Sequence, residues 1–238
     1  MQLRSGKITT TEAVHFTVVS QYGYAINYIK NPSEAVQLVA VKECGYIIQH
    51  IENPTEAVQL AAVKQIGYAI KYIKNPSEAV QLAAVTKYGY AIKHIENPSE
   101  AVQLTAVNQD IQHLGYAIKY IINPSEAVQL AAVTKNGMAI QYIENPSEAV
   151  QLAAVNQDIR TIRHIKNPTE KVQLAAVTHN ERAIQHIENP TEAVQLLAVK
   201  QKAFAIQYIE NPTEGVQLVA DTHKYAIKYK VQLASRKY

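Results

Sequence analysis

The sequence predicts an all-α fold, an α-solenoid of about ten 22-residue helix-turn-helix repeats. Three observations predict it. All nine prolines sit in Asn-Pro pairs, at Pro32, Pro54, Pro76, Pro98, Pro124, Pro146, Pro168, Pro190 and Pro212. The pairs recur every 22 residues, with one interval of 26 between Pro98 and Pro124. Each pair opens the same unit, N-P-[S/T]-E-A-V-Q-L-A-A-V-x-x-x-G-Y-A-I-x-Y-I-x, which lacks the strict alternation of a strand. Positions are counted below from the Asn of each unit.

Positions 1 to 4 read as a helix start. Asn suits the N-cap, because its side chain can accept from a free N–H of the first turn. Pro suits the first helical position, where its missing N–H has no partner anyway. Glu three residues after the cap is expected to reach back to the cap N–H and to meet the positive end of the dipole. Positions 5 to 11, Ala57 to Val63 in one unit, are apolar except for Gln at position 7. A helix apolar nearly all round must be covered on most sides, Leu82 included. Gly at position 15 is expected to end that helix in a left-handed C′ conformation. A second, shorter helix, Y-A-I-x-Y-I, runs on to the next Asn. Helices this short are marginal alone, so each unit is expected to be stabilised by stacking on its neighbours.

One domain, 1–238, is expected, with capping repeats at 1–30 and 211–238 around eight regular repeats at 31–210. A four-residue insertion falls near 108–114. Asp221 replaces the usual Val, as suits a face with no further neighbour, and the Val231–Ala234 block reads as a closing helix. At the other end Phe16 replaces Leu and His15 replaces Gln.

The composition excludes several classes. Net charge is +3, too small to imply nucleic acid by itself. A lone cysteine, Cys44, excludes an internal disulfide framework, and it is read as inert. The N-terminal stretch lacks the apolar run of a signal peptide, and no segment approaches a membrane span. A soluble, cytoplasmic protein is expected.

The segment AVQLAAVKQIGYAIKYI at 57–73 resembles a family of short two-helix repeats of unknown function found in phage, giant-virus and bacterial proteins. The repeated Asn-Pro between short helices is also similar to leucine-rich repeat variant solenoids. The resemblance implies a helical-repeat architecture and brings no activity with it. Its phage association implies an inhibitor or adaptor acting on a host macromolecule.

Signatures of chemistry are scarce. His50-Ile51-Glu52, His94-Ile95-Glu96 and His186-Ile187-Glu188 spell H-x-E, but the Cys pair of a zinc deaminase is missing. No H-E-x-x-H, phosphate loop or G-x-S-x-G occurs. No catalytic residue, metal or cofactor is expected. Gln at position 7 needs partners in a buried helix and reads as bonded to an inter-repeat loop or as a Gln ladder. Position 22 alternates as Lys30, Glu52, Lys74 and Glu96, which reads as a surface salt-bridge row.

Candidate binding residues cluster at positions 16, 19 and 20. If the second helix is α-helical, positions 16 and 20 share a side. They bring Tyr28, His50, Tyr72, His94, Tyr120, Tyr142, His164 and His186 together with Tyr68, Tyr90, Tyr116, Arg160 and Arg182. Arg163 lies within a turn of Arg160. Rings packed between layers with wet tips explain part of this pattern, and a Tyr/His ridge for a partner explains the rest. Arg160, Arg163 and Arg182 read either as solvated charges or as an anion site. The basic tail, Lys224, Lys228, Lys230, Arg236 and Lys237, reads as solvated. The shorter helix takes less room, so these positions are expected on a concave face. The expected function is a non-enzymatic protein-binding scaffold. The alternative is a nucleic-acid-binding solenoid with Tyr stacking and Lys/Arg phosphate contacts.

Overall fold

A computed structural model describes residues 10–109 and 116–222. They form tandem helical repeats, an all-α solenoid, and no strand occurs among them. The basic tail, the closing-helix segment, Gly115 and residues 110–114 of the insertion lie outside the described residues. The chain divides into two compact units, Met1–Val128 and Gln129–Tyr238. Among the described residues no helix is long and apolar enough to cross a membrane.

Each described repeat pairs an α-helix, of twelve residues in the first and ten in the others, with a short 3-10 helix. In the first unit the α-helices are α1 (Thr10–Gln21), α2 (Glu34–Glu43), α3 (Glu56–Gln65), α4 (Glu78–Lys87) and α5 (Glu100–Gln109). The 3-10 helices that follow include Gly45–His50, Gly67–Tyr72 and Gly89–His94. α6 (Glu126–Lys135) contains the boundary between the units. In the second unit α7 (Glu148–Gln157), α8 (Glu170–His179) and α9 (Glu192–Gln201) alternate with 3-10 helices such as Ile159–His164 and Glu181–His186.

The helix start differs from the sequence expectation. The cap is Ser or Thr at position 3, not Asn. Ser77 has extended backbone angles, φ −61° and ψ 159°, and its hydroxyl accepts from the N–H of Val80. Thr55, Ser33, Thr169 and Thr191 do the same. Asn instead turns the chain into the helix: from Asn31 to Asn167 seven of these residues hold φ between 47° and 51°. Among non-glycine residues Asn tolerates that left-handed region best, because its short amide bonds locally. Pro precedes the cap, and its carbonyl accepts from Gln at position 7, as Pro54 does from Gln59 Nε2 at 2.9 Å. Seven Gln residues from Gln37 to Gln195 close in this way onto their own inter-repeat turn, and Gln173 also accepts from Thr191 N–H in the next one.

Glu does not reach back to its own cap. It reaches the cap of the following repeat: Thr55 Oγ1 donates to Glu34 at 2.5 Å, and Ser77 donates likewise to Glu56. Each of these cap hydroxyls thus donates to one repeat while accepting from the helix of its own, whereas Thr191 caps its helix without a bond to Glu170. The series Glu12–Ser33, Glu78–Ser99 and Glu100–Ser125 extends it through the first unit. Glu148–Thr169 and Glu192–Thr213 repeat it in the second.

Glycine at position 15 answers a close approach. A Cβ on Gly67 would lie 2.6 Å from the carbonyl oxygen of Ala84 in the next repeat, and one on Gly45 would lie 2.6 Å from that of Ala62. Gly23, Gly45, Gly67 and Gly137 do not adopt the left-handed φ expected of a C′ residue. The α-helix ends instead at an extended position 14, where Ile66 N–H bonds Ala62 O at 3.0 Å.

The second helix is 3-10, with Ala69 N–H bonded to Ile66 O at 2.9 Å and Ile73 N–H to Ile70 O at 3.0 Å. Three residues per turn align positions 18 and 21 on one edge and 16 and 19 on another. The first edge is core: Ile70 and Ile92 are fully buried and Ile73 nearly so. Val at positions 6 and 11 and Ala at 10 and 17 complete that core, as Val58, Val63, Ala62 and Ala69 show. Leu at position 8, Leu82 among them, is only half-buried, and Ala at position 5 is exposed. The α-helix is therefore covered on a narrower arc than its composition implies. At the outer repeats the pattern opens: Val14 and Leu218 are 56% and 70% exposed, and Asp221 is exposed where inner repeats bury Val.

Candidate functional site

The 3-10 register places positions 16 and 19 on one outward edge, with position 20 beside it. In the first unit this builds a ridge of rings that touch across repeats. Tyr24 meets His50 at 6.0 Å between centroids, and Tyr46 meets Tyr72 at 6.1 Å. Tyr68 is the centre of a larger group, 4.7 Å from Tyr88, 5.8 Å from His94 and 6.5 Å from Tyr90. Tyr90 packs on Tyr120 at 5.0 Å, and the two hydroxyls share a hydrogen bond of 2.5 Å. The rings of Tyr68, Tyr88, Tyr90 and Tyr120 are half-buried, whereas Tyr28 is 92% exposed and Tyr116 is exposed.

Lysines at position 19 lie over these rings. Lys71 Nζ is 4.5 Å from the Tyr72 centroid and 5.9 Å from that of Tyr46. Lys93 Nζ is 4.7 Å from Tyr90, three residues earlier, and 5.2 Å from Tyr68 of the preceding repeat. Lys119 Nζ is 5.9 Å from Tyr120. The electrostatics follow. Burial, then the Tyr88 hydroxyl, push the Tyr68 phenol above its ordinary value. The hydrogen bond of Tyr72 raises the Lys71 ammonium. Burial first, then the charges of Lys93 and Lys71, hold His94 below the usual imidazole value.

In the second unit the same positions carry different chemistry. Arg160 is gripped by Asp158 two residues away, Nη2 to Oδ2 at 2.7 Å and Nε to Oδ1 at 3.0 Å. That fork holds the Asp158 carboxyl below the ordinary range. Arg163 Nε donates to His164 Nε2 at 3.1 Å, and His164 is lowered by burial and by Arg163. Arg182 stands next to Glu181, whose carboxylate is bridged by Lys202 at 2.7 Å. His186 accompanies Gln185 at 3.1 Å, and Tyr142 is half-buried. The structure therefore assembles the Tyr/His ridge and supplies Arg160 with an internal carboxylate.

Two patterns escaped the sequence reading. Position 14 caps the 3-10 helix in the second unit: Asn136, Asp158 and Asn180 accept from the N–H two residues on, at 3.1, 2.9 and 2.9 Å. The run of Asx residues just before the second helix was the signal. Position 19 reads Lys71, Lys93, Lys119 in consecutive repeats, a run that the 3-10 register aligns with the rings of position 16. The expected salt-bridge row at position 22 does not form: among the described residues Lys30, Glu52, Lys74 and Glu96 make no ion pair.

The second unit also carries open polar recesses at equivalent places in consecutive repeats, with volumes of about 810, 650 and 580 Å³. Gln151, Gln173 and Gln195 line them in turn. His164 and Lys166 line both of the first two, and His186 and Glu188 both of the last two. Among the described residues no group of three His, Cys, Asp or Glu side chains is placed to hold a metal. Cys44 is half-buried, its thiol 3.8 Å from the Tyr24 hydroxyl, which it pushes to a higher pKa. Compared with protein-family models, curated proteins and solved structures, the chain finds no match.

Proposed function

We propose that the protein is a non-enzymatic scaffold that holds a protein partner through the ridge of positions 16, 19 and 20. The observation that carries this reading is the ring group around Tyr68. Its members are fixed by one another yet stay half-exposed. Side chains already ordered lose little freedom on docking. Tyr is also a residue type enriched where protein surfaces meet. The geometry favours a protein over a nucleic acid. The neighbouring rings meet edge to face, at interplanar angles of 65° for Tyr68–Tyr88 and 83° for Tyr90–Tyr120. Lys71 and Lys93 lie over ring faces. A base needs an open, flat face to stack on, and over the rings of Tyr68 and Tyr90 the ammonium of Lys93 already lies.

The test is affinity capture from native lysate, with and without nuclease, using the parent chain and a Tyr68→Ala/Tyr90→Ala variant whose helicity is verified by circular dichroism. A protein that survives nuclease and is lost on the variant is expected. Capture of nucleic acid alone, or equal capture by parent and variant, overturns the reading.

A further inference from the structure

We infer that the ridge of the first unit seats an acidic, extended polypeptide segment whose carboxylates are received in turn at Lys71, Lys93 and Lys119. This inference rests on the scaffold reading and names the chemistry of its partner.

The three lysines occupy position 19 of consecutive repeats. The same position elsewhere holds Asn27, Gln49, Gln141, Gln185 and Gln207, with Arg163 the other cation. The run is therefore a local concentration of charge on an otherwise neutral edge. Its setting differs from that of three cations of the second unit. There Arg160, Lys171 and Lys202 each meet a carboxylate within 3.3 Å. Lys71 and Lys93 meet none among the described residues; what they meet is aromatic. A ring face orients an ammonium without neutralising it. His94, whose ring packs on Tyr68, is held below the usual imidazole value by burial first and then by the charges of Lys93 and Lys71, which both reach it. An anionic partner is the complement of such charges.

The spacing favours a polypeptide. Stacked helices lie about 10 Å apart, and an extended chain advances about 3.3 Å per residue. Acidic residues at every third position of an extended segment therefore keep step with one lysine per repeat. Lysine suits this register, because a compact ammonium on a flexible stem accepts a single carboxylate without the planar match that Arg requires. Between the lysines the half-buried rings of Tyr68, Tyr90 and Tyr120 offer apolar edges to the intervening residues.

The experiment titrates the full chain with a fluorescein-labelled (Gly-Ser-Glu)4 peptide by anisotropy. Its controls are the same peptide with Gln for Glu, a thymidine dodecamer, and a Lys71→Gln/Lys93→Gln variant. The Glu peptide is expected to bind, roughly tenfold more tightly than the Gln peptide, with a similar loss on the variant and weakening in high salt. The His94 titration, followed by NMR, is expected to move upward when the Glu peptide is present. Equal binding of the Glu and Gln peptides to the parent overturns the inference whatever the variant does. Tighter binding of the dodecamer than of the Glu peptide also overturns it. If the Glu peptide fails while a lysate protein is still captured through Tyr68 and Tyr90, the acidic partner falls and the scaffold stands. If the lysate protein is also lost from the parent chain, both fall.

Discussion

Ser125 donates its hydroxyl hydrogen to Glu100 across 25 residues of sequence, where the preceding rung, Ser99 to Glu78, spans 21. The insertion between them leaves the rung intact. What the repeat preserves is thus the pairing of cap hydroxyl and carboxylate rather than the residue count. The extra residues fall after α5, between the last α-helical turn and the following 3-10 helix Tyr116–Tyr120.

Loss of that hydroxyl has a defined cost. Ser77→Ala removes the acceptor for Val80 N–H and the donor to Glu56 together, and is expected to destabilise by about 1 kcal/mol. Ser77→Thr keeps both bonds and is expected to be nearly neutral. Urea titration of the two variants checks this, and equal stability of Ser77→Ala and parent contradicts the cap assignment.

Burial ranks the apolar positions. Ile92→Ala empties a fully buried site and is expected to cost about 2–5 kcal/mol. Leu82→Ala, at a half-buried site, is expected to cost clearly less. A larger shift of the denaturation midpoint for Leu82→Ala contradicts the core described above.

Gly67→Ala forces a methyl to 2.6 Å from Ala84 O, a backbone atom that cannot swing away. The expected destabilisation is about 1–3 kcal/mol. Thermal unfolding of Gly67→Ala and of a control, Ala57→Gly at an exposed site, separates packing from helix propensity.

Thr161 stands where other repeats bury Ala, and its hydroxyl is buried with no hydrogen-bond partner among the described residues. Thr161→Ala is therefore expected to stabilise the protein, on the order of 1 kcal/mol. A lower melting temperature for the variant contradicts this.

Acid acts on two histidines. His94 and His164 are both held below the ordinary value of 6.5, chiefly by burial. As pH falls through 6.5 the unfolded chain takes up these protons first, so stability declines from there until the lower folded-state values are passed. A His94→Gln/His164→Gln variant is expected to lose part of the stability difference between pH 7.5 and about pH 5. Urea midpoints at the two pH values measure it, and an unchanged difference contradicts the assignment.

The period of the fold, its all-α class and the inter-repeat turns among the described residues were legible in the Asn-Pro spacing. The roles within the turn were not. Asn, Ser and Thr all serve as helix caps, so N-P-[S/T]-E offers two caps in register, and composition does not choose between them. The left-handed Asn backbone decides for Ser or Thr. Glycine misled for a similar reason: freedom of φ and absence of a side chain are the same atom missing, and only the neighbouring carbonyl shows which one is used. Tyr68, Tyr90 and His94 were legible as one ridge because they repeat. The lysines were not, because a six-residue helix does not reveal in sequence whether its turn holds three residues or 3.6.

Because most described repeats carry an acceptor carboxylate at one edge and a donor hydroxyl at the other, the same bond recurs from Glu12–Ser33 to Glu100–Ser125. Duplicating or deleting a whole repeat within that series leaves the rung available: Glu34 has in Ser99 the same hydroxyl donor that it has in Thr55. Where the rung is shared, such an exchange keeps the bond between neighbouring repeats. Copy number is then a trait open to selection independently of the outward-facing residues. A lineage can lengthen its binding surface first and diversify its tyrosines and lysines afterwards.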